Sequence, residues 1–143
     1  MPISRITPMS AIQGYMQEQI EKKEQKAIKF LSYSGESGVN EARIAGNYKD
    51  QTGNLRSSIG YVVTNNGEIV QISSFDQVKS GNEGSNKGAS FAKHIASKNT
   101  GWLSLNVVAG MPYSKYVSAK GYNVLDSSEN LVERLVHQLM KQL

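Results

Sequence analysis

Asn65-Asn66-Gly67 separates two runs rich in β-branched and aromatic residues, Ile59-Gly-Tyr-Val-Val-Thr64 and Glu68-Ile-Val-Gln-Ile-Ser-Ser-Phe75. The turn residues of a tight hairpin need positive φ, which Asn and Gly adopt at the least steric cost. The pattern predicts an antiparallel hairpin in the middle of the chain, and the rest of the sequence has to pack around it.

Before the hairpin, Ile12, Met16, Ile20, Ala27, Ile28 and Leu31 recur at three- and four-residue spacing, with Glu18, Glu21, Lys22 and Lys29 on the other side. That is an amphipathic helix, with Ser10 a reasonable N-cap. Gly35, Gly38, Val39 and Ala42 hold the same phase, so residues 10–45 form one long helix or two collinear pieces broken near Tyr33–Gly38. Thr52 can cap a short turn that carries Leu55 and Ile59 on one side. After the hairpin, Gly81, Gly84 and Gly88 lie among Ser, Asn and Lys, and residues 76–90 read as a flexible basic loop. A short helix over Phe91 to about Ser97 follows, then a strand over 102–109 with Leu103, Leu105 and Val107 on one face. Pro112 opens a helical turn bearing Tyr113, Tyr116 and Val117, which Gly121 ends, and Tyr122–Leu125 is a short fourth strand. Asp126 or Ser127 caps a last helix, with Glu129 in its first turn and Leu131, Val132, Leu135, Val136, Leu139 and Met140 as its apolar stripe. The expected fold is α+β over residues 1–143 as a single domain: a small antiparallel sheet of about four strands. The long N-terminal helix and the amphipathic C-terminal helix pack on one face of it.

Composition narrows the chemistry. The 143 residues include no cysteine, which excludes a disulfide scaffold, a Cys-ligated zinc site and a thiol nucleophile. Two histidines leave little for a metal cluster, and His94 and His137 both read as ordinary surface or boundary residues on helices. No run is long and apolar enough to span a membrane. Met1-Pro2-Ile3-Ser4-Arg5 leads into no apolar block, so no secretory signal is expected. The net charge is +4, and its excess is concentrated at Lys79, Lys87, Lys93 and Lys98, opposed over 77–100 by Glu83 alone. A basic segment of this kind either faces a polyanion such as DNA or keeps a solvated loop soluble. No aromatic residues interleave with the lysines as base-stacking platforms do.

Motifs that imitate catalytic signatures fail on inspection. Tyr116-Val-Ser-Ala-Lys120 has the Tyr-x-x-x-Lys spacing of short-chain dehydrogenases, but Ser57 and Ile59 stand where a dinucleotide loop needs glycine. Lys87 precedes Gly88, the reverse of the Gly-Lys order of a phosphate-binding loop. No Gly-x-Ser-x-Gly elbow and no calcium-loop spacing occur. No enzyme and no cofactor are expected. The tyrosines clustered at Tyr113, Tyr116 and Tyr122 suit either an interface or an aromatic core behind the sheet.

The stretch Asp50-Gln-Thr-Gly-Asn-Leu-Arg-Ser-Ser-Ile59, following a long helix and preceding a hairpin, resembles the head-to-tail joining and tail-completion (minor tail component) family of tailed phages. Ala109-Gly-Met-Pro-Tyr-Ser-Lys-Tyr-Val117 resembles that family's late strand and its Tyr-x-x-Tyr-Val turn. The whole is similar to variants from phages and prophages of gut Bacteroidetes. The residues that carry the likeness are Thr52, Gly53, Leu55, Arg56, Ser58, Tyr113, Tyr116 and Val117. The sequence departs where many relatives continue with Glu-Phe-Gly-Thr and a proline-rich stretch. Ser118-Ala-Lys-Gly121 stands here, which leaves tail terminator and neck adaptor both open. The resemblance implies a structural virion protein of the neck or tail, assembled in the host cytoplasm. It implies a ring, hexameric in form, between connector and tail tube, with no membrane involved; from the charge pattern, Lys79, Lys87, Lys93 and Lys98 are expected to meet a partner or DNA in the lumen of such a ring. The alternative is a small nucleic-acid-binding protein using residues 79–98.

Overall fold

A computed structural model describes residues 9–143; Met1–Arg5, read above as carrying no signal, lies outside them. In chain order the elements are α1 (Met9–Ala45), α2 (Asn54–Ser57), β1 (Ile59–Asn65), β2 (Glu68–Ile72), α3 (Asn82–Lys98), β3 (Leu103–Ala109), α4 (Ser114–Ala119) and α5 (Asp126–Met140).

The hairpin forms as its turn residues dictate. Asn66 and Gly67 take φ of 53° and 88°, and β2 runs back antiparallel along β1 with one register shift between Val63 and Thr64. β2 stops at Ile72, short of the expected Phe75, because Phe75 turns to φ 51° and drops its ring into the core. β3 pairs antiparallel with the other side of β1, giving the order β2-β1-β3. The sheet therefore has three strands where four are expected. The backbone of 122–125 is occupied otherwise. The Asn123 N–H donates to Asn47 Oδ1 at 2.7 Å, and its side chain bonds Ser127 Oγ and the Ala45 carbonyl. Asn123 Oδ1 also accepts the Ser127 N–H at 3.2 Å. It is Asn123, ahead of the helix, and neither Asp126 nor Ser127, that satisfies the first turn of α5.

β1 is buried on both faces, and this sets the layering. On one side Ile59, Tyr61 and Val63 pack with Leu31, Val39 and Ala42 of α1 and with Val136 and Met140 of α5. Fully burying a side chain of this size contributes about 1.5–3 kcal/mol. α1 runs unbroken for 37 residues, with Ser10 inside it, and Gly35 and Gly38 are its points of closest packing. A Cβ at residue 35 would sit 2.7 Å from the Tyr61 ring, and one at residue 38 would be 2.9 Å from Ser128 Oγ. The six apolar residues expected on the α5 stripe are all half-buried, while the residues between them are exposed.

The second face is where the sequence reading fails. Helices on one face were expected, yet α3 covers the other, packing Ala92 and Ala96 on Val62, Phe75 and Val108. The expected loop of 76–90 is confined to residues before Asn82; the rest is helix. Gly84, Gly88, Ala92 and Ala96 fall four apart and form the buried side of α3, so the glycines let the helix approach backbone closely. A Cβ at Gly84 would collide with the Asn54 carbonyl, and one at Gly88 would lie 2.6 Å from the Ser58 carbonyl oxygen.

Candidate functional site

Tyr48 to Ser58 links the end of α1 to the start of β1, and its residues are fastened by one another. Asp50 is the centre. Its carboxylate accepts the N–H groups of Leu55 at 3.3 Å and Arg56 at 3.0 Å, capping the single turn of α2. Thr52 Oγ1 accepts the Asn54 N–H at 3.3 Å, as its position suggested. Gly53 has φ 79°, and any Cβ there would strike the Val78 carbonyl. Leu55 is 1 % exposed, in an apolar cluster with Tyr48, Met111 and Val124.

Arg56 is a brace. Its guanidinium donates to the Arg43 carbonyl at 3.2 Å and the Gly46 carbonyl at 2.9 Å, which closes the C-terminal end of α1. It also pairs with Asp50 at 3.7 Å and lies 4.6 Å over the Tyr48 ring. Arg43 reaches the Ile59 carbonyl at 3.1 Å, and burial lowers its pKa. Ser58 Oγ donates to the Leu55 carbonyl at 2.7 Å, and Ser57 Oγ accepts the Val78 N–H at 2.7 Å. Asp50, Tyr48 and Arg43 are the residues sequence reasoning missed. An Asp two residues ahead of Thr-Gly was the available signal for the first of them.

The two stretches that carry the resemblance meet in space. Thr52 and Leu55 from the first, and Tyr113 and Val117 from the second, line one open cleft of about 400 Å³ together with Lys49 and Asp50. Tyr113 is 41 % exposed, and partial burial first, then the Asp50 charge, raises its phenol pKa. Tyr116 is not part of this cleft; it is exposed on α4, beneath the Lys120 ammonium at 4.6 Å. Within the cleft the Asp50 carboxylate is committed to two N–H groups and a guanidinium. What it offers is an apolar floor with a phenol and a hydroxyl at its rim, suited to receiving a side chain of a docked protein.

The four lysines do not converge. Lys79 donates to the Asp50 carbonyl at 2.9 Å and pins the loop before α3. Lys87 pairs with Glu83 at 2.8 Å within α3. Lys87 and Lys98, eleven residues apart, share a side of α3 at roughly 100° per residue, and Lys93 points well around the helix from both. Among the described residues no group of His, Asp and Glu could hold a metal ion, and no helix is long and apolar enough to cross a membrane.

A further surface is the free side of β3. Asn66 N–H bonds the Trp102 carbonyl at 2.7 Å and Gly110 N–H the Ser58 carbonyl at 3.1 Å, so the even-numbered residues of the strand are those bonded to β1. Leu103, Leu105 and Val107 therefore direct backbone N–H and C=O groups outward. Beside them runs a cleft of about 570 Å³ between Phe91 and Ile95 of α3 and Ser114 and Ser118 of α4. The opposite edge, β2, exposes Ile69 and Val70.

Comparison with protein-family models finds no match, and neither curated proteins nor solved structures give a significant one.

Proposed function

We propose that the chain is a structural subunit of a phage neck or tail, joining the head connector to the tail or completing the tail as a ring. The observation that carries this reading is the meeting of Thr52 and Leu55 with Tyr113 and Val117 in one cleft. Stretches separated by about sixty residues resemble the same family, and they build one surface. Two free strand edges on opposite sides of the sheet supply surfaces through which like subunits can pair side by side. The tight bracing of the turn by Asp50 and Arg56 suits a part that must hold its shape under load. On this reading the protein works in the virion, after assembly in the host cytoplasm, and catalyses nothing. The test is quantitative mass spectrometry of purified particles of the phage that encodes it. The reading expects a fixed low copy number matching a ring; absence from intact particles overturns it. Salt-dependent DNA binding by the isolated protein would instead point to Lys79, Lys87, Lys93 and Lys98.

A further inference from the structure

Residues 84–125 contain no Asp or Glu and five lysines, Lys87, Lys93, Lys98, Lys115 and Lys120. Folding puts part of that charge beside the cleft of about 570 Å³ between α3 and α4. At roughly 100° per residue, Lys87, Phe91, His94 and Lys98 fall within about 60° of one another on α3, and all four are exposed. Phe91 from this stripe lines the cleft together with Ile95, and Lys115 lines it from α4. The buried Val108 and Val124 add apolar surface, while Asn106, Ser114 and Ser118 give it polar atoms. Glu83, one turn before Lys87, is the one carboxylate on the stripe, and it pairs with Lys87.

We propose that this cleft and stripe bind single-stranded nucleic acid, an unpaired base entering beside Phe91 and the flanking phosphates meeting Lys98 and Lys115. Three features select that ligand. An apolar cleft of this size with a few polar groups fits a planar heterocycle. The exposed ring of Phe91 supplies a stacking platform, which accepts any base because every base has a π-face. The stripe from Lys87 to Lys98 runs about 16 Å along α3, farther than the phosphate of one nucleotide reaches, so the ligand is a strand and not a free nucleotide. Bases inside a duplex are withheld from such a cleft by their own stack. The site shares Lys87 and Lys98 with the basic segment 79–98. It leaves out Lys79, held on the Asp50 carbonyl, and Lys93, on another side of α3. It uses no residue of the Thr52–Tyr113 cleft, and it stands whether or not the virion reading holds.

The test is fluorescence anisotropy of a labelled oligo-dT of about fifteen nucleotides, titrated with the full chain. Binding is expected to weaken with salt, log K falling on log salt with a slope of about −1.4 for two phosphates. Phe91→Leu keeps the cleft apolar but removes the platform and should weaken binding about tenfold, whereas Phe91→Trp should retain it. Lys115→Gln is expected to make the slope shallower by about 0.7 and Lys93→Gln to leave it unchanged. Glu83→Gln, which frees Lys87 for a third phosphate, should steepen it by about 0.7. All four side chains are exposed, so Tm should hold in each variant. Three results overturn the proposal: equal binding of the same strand annealed to oligo-dA, equal binding by Phe91→Leu, or no anisotropy change up to about 1 mM protein.

Discussion

Arg56 is held by two carbonyls, a carboxylate and an aromatic face, and only a planar guanidinium can meet all four. Arg56→Lys keeps the charge but loses the fork, and is expected to cost about 2–3 kcal/mol in urea denaturation, close to the cost of Arg56→Ala. Tyr48 behaves oppositely. Its hydroxyl is buried without a partner, so Tyr48→Phe is expected to be neutral or stabilising by up to about 1 kcal/mol at pH 7. Burial also raises the Tyr48 pKa above 10.0. With the folded value above the unfolded one, the stability it contributes is complete below about pH 10 and is lost as pH rises through the folded pKa. The alkaline fall in stability should therefore be shallower in Tyr48→Phe than in the parent, in denaturation series across pH 9–12. Tyr61 and Tyr113, also raised by burial, are unchanged in both proteins and contribute to the residual slope.

At the scale of elements, what could be read from sequence was whatever a local period or a turn pair encodes. The Asn66-Gly67 hairpin, the phase of α1 through Gly35 and Gly38, and the stripe of α5 are of that kind. α3 was misread because glycine lowers helix propensity residue by residue, while the packing gain of Gly84 and Gly88 depends on Asn54, Ser58 and Phe75, which are distant in sequence. The four-residue spacing continuing into Ala92 and Ala96 was the local trace of it. Gly88→Ala consequently raises helix propensity and yet should destabilise by more than about 2 kcal/mol, measured by thermal denaturation. Gly14 on α1 has open space around it, and Gly14→Ala there should raise helicity by circular dichroism without lowering Tm. The fourth strand was misread for a related reason: Tyr122–Leu125 has β character, but Asn123 ties α1 to α5, which no strand pattern encodes. Asn123→Ala is expected to cost about 1–2 kcal/mol.

The whole molecule is a three-strand sheet between α1 with α5 and α3, with two open edges and a braced turn beside a tyrosine-rimmed cleft. Of the candidate site, the turn residues were visible as a motif, but their meeting with Tyr113 and Val117 is a product of the fold. On the proposed reading, the cleft is where folding and docking can be separated. Tyr113→Ala removes a half-exposed ring, so it should change unfolding free energy by less than about 1 kcal/mol while reducing incorporation of the protein into particles. Normal incorporation would make the tyrosine incidental. The most direct measurement is electron microscopy of lysates from a nonsense mutant in this gene, grown with and without a suppressor. The account predicts DNA-filled heads without tails, or tails of abnormal length, restored by the suppressor. Normal infectious particles without the suppressor would contradict it.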